Sequence, residues 1–128
     1  MRLRRLLRRI VKEAVPDGSH LSAADIANRA LMLERSAVAV GVSWRGFSPA
    51  QAALVIVLAA RFVTGIRTAQ VARLEEAGQR FAEVQGLGAF ARDVAADFAR
   101  KERLTALRRH GHPSPPGWLR VVGSVALS

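Results

Sequence analysis

Apolar residues recur at helical spacing through most of this chain. In the opening segment MRLRRLLRRIVKEAV, Leu3, Leu6, Leu7, Ile10, Val11 and Ala14 share one face. Arg2, Arg5, Arg9 and Lys12 form the opposite stripe, with Arg4 and Arg8 at its borders. The spacing predicts an amphipathic helix that ends at the turn-forming Pro16-Asp17-Gly18. A second helix is predicted from Ser22 to about Val40. Ser22 and Asp25 stand as a capping box, and Leu21 and Ile26 as a hydrophobic staple. A connector over 41–46 follows. Ser48, Pro49 and Gln51 then supply the N-cap, first-turn proline and capping-box partner of a third helix.

From Pro49 to Gln85 there is no further proline, so the pattern predicts one long central helix of about 55 Å with bends at Gly65 and Gly78. Its first half, AALVIVLAA over 52–60, is apolar all round, as a buried central helix should be. Nine apolar residues between Gln51 and Arg61 fall well short of the ~18 that would span a membrane. Beyond Arg61 the pattern turns amphipathic, with Ile66, Val71, Leu74, Ala77 and Phe81 inward and Glu75, Glu76, Gln79 and Glu83 outward. Gly86-Leu87-Gly88 breaks the chain. The next helix carries Leu87, Phe90, Val94 and Phe98 on one face and closes at Arg108, Arg109 and Gly111. The Pro-rich HPSPPGW and the apolar WLRVVGSVALS then form a turn and a docking tail over 113–128. The expected architecture is an all-α bundle of four to five helices over 1–112 with an extended apolar C-terminal tail.

Composition agrees with helices: 23 alanines, seven aromatic residues and no tyrosine in 128 residues. The absence of cysteine removes disulfides, thiolate metal sites and cysteine nucleophiles. A reducing cytoplasm fits that composition. Charge changes the picture more. Residues 1–13 hold six bases and one acid, residues 100–128 again six bases and one acid, and residues 14–99 carry eight of each sign. The whole excess of +10 therefore sits in the two terminal segments, which points to an acidic partner. Arginine outnumbers lysine 18 to 2, which suits phosphate recognition by the guanidinium fork and equally reflects a compositional bias.

Catalytic chemistry is thin. His110 and His112 lack a third ligand nearby for a metal. Asp93 and Asp97, four apart on one helix, read as members of ordinary helix ion pairs rather than a paired-carboxylate centre. Ser36, Ser43 and Ser48 sit in no nucleophile elbow, and Gly86-Leu87-Gly88 lacks the strand and third glycine of a phosphate loop. No enzyme, cofactor or metal is expected. The first segment is no secretory signal, because Arg8, Arg9 and Lys12 interrupt every apolar run. It has the Arg-rich amphipathicity of a mitochondrial presequence but no serine before Ser19.

The D-I-A-x-x-A start of the second helix (Asp25, Ile26, Ala27, Ala30) resembles the first helix of bacterial helix-turn-helix regulators, yet Leu31 occupies the place where their turn carries glycine. More broadly, a basic, cysteine-free, all-helical chain of this size, with its charge at both ends, resembles the small helical subunit of multisubunit CRISPR effector complexes. The resemblance rests on size, helix pattern and charge distribution. It implies a non-catalytic subunit, present in several copies beside other proteins and holding RNA or single-stranded DNA by its backbone. Under that reading, Arg2, Arg5, Arg9, Lys12, Arg100, Arg103, Arg108 and Arg109 would meet phosphates without reading bases. Trp44 and Trp118 are the candidates for base stacking. Two alternatives stay open: a membrane-surface protein anchored by its first helix, and a phage or virion structural protein with basic ends.

Overall fold

In the computed structural model, residues 2–16, 20–63 and 65–110 are described, the last five of these by backbone alone. The chain is all-α, with no strand among the described residues. It forms α1 (Arg2–Glu13), α2 (Ala23–Ala39), α3 (Pro49–Leu58), a 3-10 turn (Ala59–Phe62), α4 (Thr68–Val84) and α5 (Gly88–His110). Two compact units divide it, Met1–Ala95 and Ala96–Ser128. The apolar tail and the domain limit at 112 lie outside the described residues, as do Asp17 and Gly18 of the predicted turn.

Local chemistry sets the helix starts. The Ser22 hydroxyl accepts from the Asp25 N–H at 3.1 Å, and the Ser22 N–H donates to the Asp25 carboxylate at 3.3 Å. Ser48 and Gln51 repeat this reciprocal pairing ahead of α3, with Pro49 in its first turn. Each box satisfies two backbone groups that a helix start would otherwise leave without partners. α2 then runs through Leu31 without a turn, so the helix-turn-helix geometry is absent, and Gly41 at φ 82° lies just beyond its end.

The core of the first unit is built around α3. Every residue from Ala52 to Ala60 is buried, which explains why this stretch has no polar side. α1, α2 and α4 all pack on α3, and α1 also contacts α2 and α4. Leu6, Leu7, Ile10 and Val11 of α1 turn into this core with Leu33 of α2 and Leu74 and Phe81 of α4.

The long central helix is the expectation the structure corrects. α3 stops at Leu58, the 3-10 turn follows, Val63 is extended, and α4 begins at Thr68. A straight helix would carry 68–84 away from α3, whereas folding it back buries both apolar faces. Gly65 permits the reversal with φ 91°, a conformation costly to any other residue. Arg61 fastens it, its guanidinium lying 3.0 Å from the Glu75 carboxylate and donating to the Ala95 carbonyl at 3.4 Å. Gly78 is not a bend. It lies within α4, where a Cβ would meet Val57 Cγ1 at 3.3 Å and Leu54 Cδ2 at 3.8 Å, so it is where α4 approaches α3 closely.

Candidate nucleic-acid interface

The cations of α1 sort by what lies beside them. Arg4 turns towards α2, its Nε 3.4 Å from the Glu34 carboxylate. On the other flank, the Arg9 guanidinium lies 5.8 Å from the centre of the Phe81 ring on α4, and Arg80 of α4 reaches Glu13 at 3.8 Å and Glu76 at 3.6 Å. Between these flanks Arg5, Arg8 and Lys12 are exposed, and Arg2 is exposed at the helix start just beyond the side of Arg9, all without an acid partner among the described residues. At 3.6 residues per turn, Arg5, Arg8 and Lys12 fall within about 60° of arc, and the row from Arg2 to Lys12 is about 15 Å long. That length equals about four phosphate steps along one strand of B-form DNA. The row exists because the leucine face of α1 is held in the core, which fixes the opposite face outward.

Of the first-helix residues expected to meet phosphates, Arg2, Arg5 and Lys12 stand in the open row, and Arg9 stands at its α4 edge against an aromatic face. Arg8 belongs to the row although the sequence placed it only at the border. The signal was there in its spacing, four residues before Lys12 and three after Arg5. Which arginines of α1 are drawn to a flank depends on Glu34 and Phe81, distant in sequence, and periodicity alone does not show it.

In the second unit the basic end of α5 is partly neutralised locally. Arg100 and Lys101 both contact the Asp97 carboxylate, three and four residues before them, and the Lys101 ammonium also lies 5.9 Å from the Phe98 ring centre. Asp97 thus makes the helix ion pairs its spacing suggested. Arg103 is exposed with no acid partner among the described residues, whereas the side chains of Arg108 and Arg109 lie outside them, as do those of His110, His112 and Trp118. Trp44 is half-buried.

The Arg100 guanidinium, with the Lys101 ammonium beside it, holds the Asp97 carboxyl below its ordinary value of 3.8. A carboxyl lowered on folding stabilises the folded chain above its unfolded pKa and loses that contribution as pH falls through the lowered folded value. NMR titration of the Asp97 side chain should therefore give a midpoint below 3.8, returning towards it in R100Q/K101Q.

No group of three or more His, Asp or Glu side chains is placed to hold a metal among the described residues. The Ser48 hydroxyl is occupied in its capping box. No helix among the described residues is long and apolar enough to cross a membrane. No protein-family model matches the chain, and neither the curated proteins nor the solved structures searched contain a match to it.

Proposed function

We propose that the chain is a non-catalytic, sequence-independent nucleic-acid-binding subunit of a cytoplasmic ribonucleoprotein assembly, in the manner of the small helical subunit of CRISPR effector complexes. One observation carries this reading: α1 presents four exposed cations, Arg2, Arg5, Arg8 and Lys12, with no acid partner among the described residues. Elsewhere in the same unit, Arg61, Arg80 and Arg92 are each paired to glutamates. Arg29, Arg35, Arg45, Arg67 and Arg73 are exposed with no acid partner among the described residues, but they are spread over α2, α4 and the connecting segments. A cationic row without base-reading partners favours affinity over sequence discrimination. Arg103, with Arg108 and Arg109 further along α5, adds to the cationic set on the second unit.

The membrane-surface alternative needs the leucine face of α1 for lipid, and that face is buried among α2, α3 and α4. The nucleic-acid reading needs only the face that is open.

Binding of the full chain to a labelled single-stranded oligonucleotide across a salt series tests the proposal. Four phosphate contacts predict a slope of log K against log salt of about −3, similar for unrelated sequences. No binding at low salt, or a slope near zero, would overturn it.

A further inference from the structure

A second feature of the first unit is a groove of about 580 Å³ between the end of α1, the middle of α2 and the start of α4. Its lining is mainly apolar, from Val11, Leu33 and Leu74 to the exposed Met32. Two cations enter it, Arg29 from α2 and Arg73 from α4. Neither makes an ion pair among the described residues, and no carboxylate stands in the described wall. The core therefore leaves open a concave, mainly apolar surface with two arginines from different helices in its lining.

From this combination we infer that the groove is a binding site for a small amphiphilic anion, a single-chain carboxylate of the fatty-acid class taken up as a monomer. Its volume lies within the range of about 300–1,000 Å³ usual for small-molecule sites, too little for a folded partner. The apolar lining suits an alkyl chain and offers little to a sugar-phosphate backbone. A carboxylate matches the planar guanidinium fork, in which two parallel N–H groups donate to its two oxygens. Met32, flexible and exposed, can close over a chain laid in the groove. The site is distinct from the α1 row, whose cations do not line it.

Calorimetric titration of the full chain with monomeric dodecanoate, followed in parallel by the NMR signal of the Met32 methyl group, tests this. Met32 is one of only two methionines, so its signal is readily assigned. Saturable 1:1 binding that shifts the Met32 methyl is expected, with dodecanol bound about tenfold or more weakly because it lacks the charge-assisted hydrogen bonds. R29Q/R73Q should bring dodecanoate down to the affinity of dodecanol, S36W should block both by filling the groove, and R5Q/R8Q should change neither. Equal affinity for dodecanol and dodecanoate in the unaltered chain, absence of saturable binding, or dodecanoate affinity unmoved in folded R29Q/R73Q would overturn the inference.

Discussion

Leu7→Ala is expected to lower the unfolding free energy by about 2–5 kcal/mol, the range for a leucine removed from a close-packed core with a cavity left behind. Leu7 is fully buried, on a helix packed simultaneously against α2, α3 and α4, so few neighbours are free to collapse into the space. Against a total stability of about 5–15 kcal/mol this is a large fraction, and the melting temperature should fall by roughly 10–20 °C. Arg5→Ala, two residues away on the opposite, open face, should change stability by no more than about 0.5 kcal/mol. Thermal melts followed by circular dichroism measure both. The comparison also separates two uses of the same helix. If the leucine face served a bilayer, Leu7→Ala would weaken vesicle binding and leave the melt unmoved.

That test turns on a face readable from sequence, and the reason is general. Features set within one or two helical turns were legible: the two capping boxes at Ser22 and Ser48, the apolar-all-round segment 52–60, and the division of α1 into a leucine face and an arginine face. Features set by partners far along the chain were not. Nothing near Arg61 announces that it will pair with Glu75 and reach the Ala95 carbonyl, so the break in the central helix was read only as a bend at Gly65. Gly78 carried a true signal with the wrong meaning. A glycine in a helical pattern marks either a bend or a close approach, and only the positions of Leu54 and Val57 decide for the latter.

The candidate site divides the same way. Periodicity identified the outward face, but which of its arginines stay open depended on which of them α2 and α4 would engage. Glu34 takes Arg4, Phe81 takes the side of Arg9, and Arg8 remains outward. The groove bearing Arg29 and Arg73 left no trace in sequence, because its walls come from three helices and become one surface only when α4 folds back.

Replacing the whole open row, R2Q/R5Q/R8Q/K12Q, should nearly abolish the binding that the proposed function predicts. Each phosphate contact on a single strand contributes about 0.7 to the salt slope, so losing four should flatten it by about 3. The corresponding loss of affinity at 0.1 M salt is several hundredfold, roughly 3–4 kcal/mol. The row is exposed, and glutamine keeps good helix propensity, so the variant should melt close to the unaltered chain. The informative quantity is how the loss divides. R4Q removes an arginine already neutralised by Glu34, so it should cost far less than R8Q although both stood at the border of the same stripe. Equal losses from R4Q and R8Q would mean that binding follows net charge alone, with no place for the geometry of the row. A large R8Q effect beside a small R4Q effect would locate the strand on the surface between α2 and α4, where the core holds α1 with its cations outward.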